Sequence, residues 1–223
     1  MKKALIYIIL FLASTSAFAQ KDAQATAILK QMSLKYRALN PIKADFTLTV
    51  DNPQAGAKQT QTGTLIANSK TGKFKVTLMA TGSKTDEEQE IISDGKTQWT
   101  YLKKDKEVQV NNAGKEDDEM NPAKLFTFYE HGYKYVYNGD QRVDGKLCQV
   151  IDLSPEEAGK PFFKIRLMID KVKKEIYSAT LFDNGGGHFT YTINSLSPKT
   201  PAPESTFTFD KKDHPGVEVV DLR

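Results

Sequence analysis

Four groups of residues in this chain are of the types that chemistry uses. The histidines are His131, His188 and His214, and no two of them stand at an H-x-x-x-H metal-binding spacing. They read as structural or surface residues. Cys148 is the only cysteine, so no intramolecular disulfide can form. It lies in the apolar stretch 147–153, which reads as a strand, with no activating group beside it, so it reads as a small buried hydrophobe. The acidic runs Asp86-Glu87-Glu88 with Glu90, and Glu116-Asp117-Asp118-Glu119, lack the spacing and the glycine of a calcium loop, and read as solvated loops. Gly185-Gly186-Gly187 could cradle a phosphate only if it opened a helix. It leads into an alternating strand pattern instead, and so reads as a hairpin turn. G-x-S-x-G, S-x-x-K and G-x-x-x-x-G-K are all absent. With no nucleophile–base set, the chain is not read as an enzyme, and no catalytic residue, metal or cofactor is expected.

What remains is apolar and aromatic surface, and the elements that carry it follow from periodicity. Asp22 can cap a helix running to about Leu39, in which Leu29, Met32, Tyr36 and Leu39 form one stripe. Asn40-Pro41 stops it. The period then becomes two. Ala44, Phe46, Leu48 and Val50 alternate with polar residues, as do Phe74, Val76 and Leu78. Ser93-Asp94-Gly95-Lys96 is the turn of a tight hairpin, because Asp-Gly supplies the positive φ such a turn needs. After it, Thr97, Trp99 and Tyr101 share one strand face, and Trp99 is the only tryptophan. Asn121-Pro122 reads as the start of a second, short helix with Leu125, Phe126 and Tyr129 on its apolar side. Tyr133, Tyr135 and Tyr137 lead to a turn at Asn138-Gly139-Asp140. Phe163, Ile165, Leu167 and Ile169 alternate next, and Phe189, Tyr191 and Ile193 follow the glycine turn. The expectation is about ten strands in antiparallel meander order. Two helices are few for so wide an apolar face, so the sheet should curl with the helices across its concavity.

The first residues bear on compartment. Lys2 and Lys3 precede an apolar run over 4–13, and Ala17-Phe18-Ala19 fits an export cleavage site. Residues 1–19 are therefore read as a signal peptide cleaved after Ala19, and 20–223 as one domain in the periplasm. The run is too short to span a bilayer. The formal net charge of +3 includes the two leader lysines, which leaves no electrostatic footprint for nucleic acid.

Several pieces, in this order, resemble the LolA family of periplasmic outer-membrane lipoprotein carriers. They are the export signal, the first amphipathic helix, Ala44-Asp45-Phe46-Thr47, Gly63-Thr64-Leu65, Phe74, the Ser93-Asp94-Gly95-Lys96…Trp99…Tyr101 hairpin, Asn121-Pro122…Leu125, Phe207-Thr208-Phe209 and Pro215-Gly216-Val217-Glu218-Val219. The resemblance implies an α+β, mostly antiparallel β fold: a curved half-open β-barrel with helices covering the concave face. It implies acyl chains of lipoprotein cargo in that concavity, an inner-membrane ABC-type exporter that loads the carrier, and an outer-membrane acceptor or membrane that unloads it. Leu29, Met32, Phe46, Leu48, Phe74, Val76, Trp99, Tyr101, Leu125 and Phe126 are expected to line the cavity of a monomer. A periplasmic lipid-sensing or regulatory half-barrel protein is the alternative. One departure stands out. Better-known members carry an Arg before a Pro that latches the lid helix, whereas residues 67–73 here contain no Arg, only Lys70 and Lys73. Burial of the helix stripe is therefore expected to hold the lid.

Overall fold

The computed structural model describes residues 22–113, 126 and 128–223. The leader 1–19, the acidic loop 114–119 and the start of the second helix with Leu125 lie outside the described residues. Asp22 caps helix α1 (Ala23–Leu39) as its position predicts: Oδ1 accepts the N–H groups of Gln24 at 2.8 Å and Ala25 at 3.1 Å. Ala25, Ile28, Leu29, Met32, Ser33 and Tyr36 form its buried side.

Among the described residues twelve strands follow, where the pattern predicts about ten. The first six are β1 (Ile42–Asn52), β2 (Ala57–Asn68), β3 (Lys73–Met79), β4 (Glu87–Ser93), β5 (Thr97–Leu102) and β6 (Glu107–Asn112). The others are β7 (Tyr133–Val143), β8 (Lys146–Pro155), β9 (Phe162–Asp170), β10 (Glu175–Asp183), β11 (His188–Pro198) and β12 (Glu218–Asp221). They make one open, curled sheet, a half-open barrel, in the order β12-β6-β5-β4-β3-β2-β1-β11-β10-β9-β8-β7. Two antiparallel meanders are thus joined by the β1–β11 ladder, from Ile42↔Pro198 to Asp51↔His188. The sheet is mostly antiparallel, as expected, and one pairing departs from the meander: β12 runs parallel to β6.

Two local details also differ from the alternation. Asn138-Gly139 is not a hairpin turn but a bulge inside β7, where the register slips between Tyr137 and Asp140. The turn comes at Asp144-Gly145, whose φ values of 48° and 77° suit a tight two-residue hairpin. A second slip, between Phe182 and Asp183 opposite Lys164 and Phe162, puts Phe163 outside. Phe163 is 54% exposed and Phe162 is buried, while Ile165, Leu167 and Ile169 point inward as predicted. Phe207 ends a short 3-10 turn (Glu204–Phe207).

The main core lies between α1 and one face of the sheet. It takes Leu29, Met32 and Tyr36 from the helix, Ile42, Ala44 and Phe46 from β1, Phe74 and Val76 from β3, and the inward residues of β7–β11. Each fully buried Leu or Met contributes about 1.5–3 kcal/mol, so the stripe alone is a substantial anchor for the helix.

Candidate functional site

The site that the strand patterns build is the helix-covered face. Phe46, Leu65, Phe74 and Val76 lie on it because cross-strand partners in antiparallel ladders share a face, and Leu65 pairs with both Ala44 and Val76. Leu29 and Met32 descend onto them from α1, Leu48 packs at the margin, and Phe126 closes the far side with its ring centroid 4.6 Å from that of Tyr36. Met32 and Phe74 are 0% exposed, so side chains fill the space beneath the helix. Phe46 lies across Gly63: a Cβ built at that glycine would stand 2.6 Å from the Phe46 Cζ and 2.8 Å from the Thr77 carbonyl oxygen. A glycine is therefore what lets the ring lie flat on the sheet.

Trp99 and Tyr101 are not brought to this face. Val76 pairs with Ile91, and Ile91 with Thr100, so Trp99 and Tyr101 stand on the opposite side of the sheet. There they pack with Val108, Val217 and Phe209 in a separate cluster, capped by His214, which stacks on Phe209 with 4.4 Å between centroids. The C-terminal segment thus covers a second apolar face. Alternation finds two faces on each strand but does not say which of them belongs to the helix.

Polar contacts beyond the Asp22 cap also hold α1 around its buried stripe, and sequence patterning finds none of them. Asp22 Oδ2, the oxygen opposite the capping one, accepts the Tyr137 N–H at 2.9 Å and so ties the helix start to edge strand β7. The Asp22 carboxyl is held below its ordinary range, chiefly by the Tyr137 N–H and then by that of Ala25. Lys35 Nζ pairs with Glu175 at 2.8 Å and donates to the Lys173 carbonyl at 2.6 Å. Glu130, on the 3-10 turn Phe128–Glu130, accepts from the Ser33 hydroxyl and from Arg37. The Tyr36 hydroxyl accepts the Ile176 N–H at 2.7 Å, and burial pushes its ionisation far above the ordinary phenol range. Lys70 is exposed and takes part only through its backbone N–H, which donates to Asn68 Oδ1. Burial does not hold the helix alone.

No chemistry-bearing cluster accompanies these contacts. Cys148 is fully buried, and burial pushes its thiol up. Among the described residues, no group of three His, Cys, Asp or Glu could hold a metal ion. The Asp183 turn is closed by its own carboxylate, which accepts the Gly187 N–H at 2.6 Å. The arrangement is an apolar face under a helix tethered by polar contacts.

Comparison with known proteins bears on the family and the fold. The family model described as outer membrane lipoprotein carrier protein LolA matches residues 37–210. No curated protein matches the sequence. Among solved structures, an uncharacterized conserved protein from Thermus thermophilus superposes with a TM-score of 0.53 at 12% identity, covering 86% of this chain and 98% of that one. A LolA superfamily protein from Nitrosomonas europaea reaches 0.47 at 11% identity, covering 83% and 98%. LprF from Mycobacterium bovis reaches 0.49 at 13% identity, covering 82% and 97%.

Proposed function

The chain belongs to the LolA family, and from that premise we propose that it is a periplasmic carrier that takes the acyl chains of lipoproteins beneath α1 and ferries them from the inner to the outer membrane. The observation that carries this reading is the continuous apolar face from Leu29 and Met32 through Phe46, Phe74 and Val76 to Phe126, under a helix fastened by separable polar contacts. No described helix is long and apolar enough to cross a membrane. The leader 1–19, cleaved after Ala19, would deliver the protein to the periplasm. An ABC-type exporter would load it and an outer-membrane acceptor would receive the cargo, the carrier acting as a monomer.

The energetics favour a lid over an open cavity. Each buried methylene contributes about 0.8 kcal/mol. A chain of about 14 carbons is then worth about 10 kcal/mol gross in either a membrane or the carrier. Transfer between the two is near balance. A helix whose stripe must be displaced to admit cargo subtracts from the affinity and leaves the carrier willing to release.

The deciding experiment is depletion of the protein followed by fractionation of lipoproteins. Accumulation in the inner membrane supports carriage. Normal lipoprotein sorting with an altered envelope-stress response would instead support the regulatory reading. A finer test compares Met32→Asp with Lys70→Ala in lipoprotein release from loaded protein. A charge at position 32 places an ion against an apolar face and should impair retention, whereas loss of an exposed lysine should change release little.

A further inference from the structure

Burial of the helix-covered face ends at the same place on two neighbouring strands. Along β1, Ala44 and Phe46 are buried, while Leu48 and Val50 beyond them are half-buried. Along β11, Ile193 is buried, while Tyr191 and Phe189 are half-buried. Leu48 pairs with Tyr191 and Val50 with Phe189, so the two strands emerge from the core side by side. On its other flank Tyr191 faces Ala179 of β10, in a ladder that runs from Phe182↔His188 to Ser178↔Thr192. This is the margin of the apolar face, where material lying under the helix would meet water.

Tyr191 gives that margin a polar end. Its ring packs against Phe46, with 5.9 Å between centroids. Desolvation alone pushes the ionisation of its phenol up, and among the described residues nothing hydrogen-bonds its hydroxyl. Three other phenols of this core are committed. The Tyr36 hydroxyl accepts the Ile176 N–H, that of Tyr135 donates to the Tyr129 carbonyl at 2.7 Å, and that of Tyr137 donates to Asp140 at 2.6 Å. The Tyr129 hydroxyl has no partner either, but that residue is 1% exposed and out of a ligand's reach. Tyr191 therefore joins a ring held in the apolar face to a neutral hydroxyl donor at its rim.

A protein that holds acyl chains must also place the carbonyl that ends each chain. Burial favours the methylenes, whereas a carbonyl taken from water without a donor loses its hydration uncompensated. The chain should therefore slide in until its carbonyl reaches a donor. The neighbours of Tyr191 on its own face are Leu48, Ala179, Phe189 and Ile193, and none carries a charge. A carboxylate would find no cation among them. An uncharged ester carbonyl would find the one group it needs.

Resting on the reading of this protein as an acyl-chain carrier, we propose that the Tyr191 hydroxyl donates a hydrogen bond to the ester carbonyl of a bound acyl chain, fixing how far the chain enters and favouring acyl esters over alkyl ethers of equal length. The chain then runs over Phe46 toward the helix stripe. The alcohol to which it is esterified stays in water beyond Val50 and Phe189.

The test uses the mature protein loaded with Nile red, a neutral apolar fluorophore, which is displaced by monolauroyl glycerol or by monododecyl glyceryl ether. The two ligands share chain length and headgroup and differ by the carbonyl. The ester should bind about threefold to tenfold more tightly than the ether. Tyr191→Phe breaks no bond within the protein, so its urea midpoint and its affinity for the ether should stay unchanged while the ester falls to the level of the ether. With an isotope-labelled ester, the infrared stretch of the bound carbonyl should lie at lower frequency on the unaltered protein than on Tyr191→Phe, a difference that repacking of the ring would not produce. Equal binding of ester and ether by the unaltered protein, an ester preference that survives Tyr191→Phe, or the same carbonyl stretch on both proteins would overturn the proposal and leave carriage standing. Failure of the unaltered protein to bind either ligand would instead remove the acyl-binding reading, and this proposal with it.

Discussion

The hydroxyl of Tyr36 accepts the backbone N–H of Ile176 at 2.7 Å. One side-chain oxygen of the helix thus supplies the partner that β11 would have given, at the point where β11 leaves β10. Tyr36→Phe keeps the ring tilted against Phe126 but leaves a buried N–H unpaired. The expected cost is about 1–3 kcal/mol in urea unfolding, with faster amide exchange at Ile176. An unchanged midpoint and unchanged exchange would show that water takes over the bond at no cost.

Glu130 joins the mid-helix to the 3-10 turn through Ser33 and Arg37. The two contacts should not weigh equally. The Arg37 side chain is 61% exposed, so Arg37→Ala should cost under about 1 kcal/mol. Glu130→Ala also strands the buried Ser33 hydroxyl, and should cost about 1–3 kcal/mol. Helix amide exchange should rise more in the second variant than in the first. If Arg37→Ala loosens the helix as much, the ion pair is the true fastening.

Asp22 gives the helix anchorage a pH dependence of known sign. Its carboxyl is held below the ordinary value of 3.8 by N–H donors, first that of Tyr137. The stabilisation is therefore complete above about pH 4 and is lost as the pH falls through the lower folded value. Asp22→Asn should flatten this acid limb of the stability curve. Amide exchange at Tyr137 and Ala25, followed from pH 5 to pH 2, measures it. Equal acid sensitivity in both proteins would place the titrating group elsewhere.

Trp99 should be blind to cargo under the helix. It lies across the sheet from Val76, beside Phe209 and Val217. Its emission should stay constant when palmitate or lipoprotein binds, and shift when residues 207–223 are removed. A tryptophan placed by Leu29→Trp in a Trp99→Phe background should respond to the same ligands. Quenching of Trp99 by ligand in the intact chain would mean that the second face also receives cargo.

Gly63 sets the height of Phe46 above the sheet. Gly63→Ala would drive a methyl group to within 2.6 Å of that ring and 2.8 Å of the Thr77 oxygen. The ring and one backbone must shift, at a cost of about 1–3 kcal/mol in thermal or urea unfolding. The pair Gly63→Ala with Phe46→Leu should recover part of the loss, since the smaller side chain gives way. No recovery would place the strain on the Thr77 carbonyl alone.

The sequence by itself determined what depends on near neighbours. The Asp22 cap, the 3.6-residue stripe of α1, the Asp94-Gly95 hairpin and the Asp183–Gly187 turn are each fixed within a few residues, and all stand where the pattern places them. The inward alternation of β1 and β3 was equally legible, since it needs only the two-residue period of a strand. Tertiary structure decided which face each strand offers to the helix. Trp99 and Tyr101 obey the alternation yet fall on the far side, because their face is set by register counted through β3, β4 and β5. One extra residue at Phe163 turns a predicted inward ring outward. The bond from Ser33 to Glu130 spans 97 positions and that from Tyr36 to Ile176 spans 140. No local preference encodes such pairs. They exist because curling the sheet under α1 brings distant polar groups to the edge of one apolar face, where burial makes an unpaired group costly and so selects a partner.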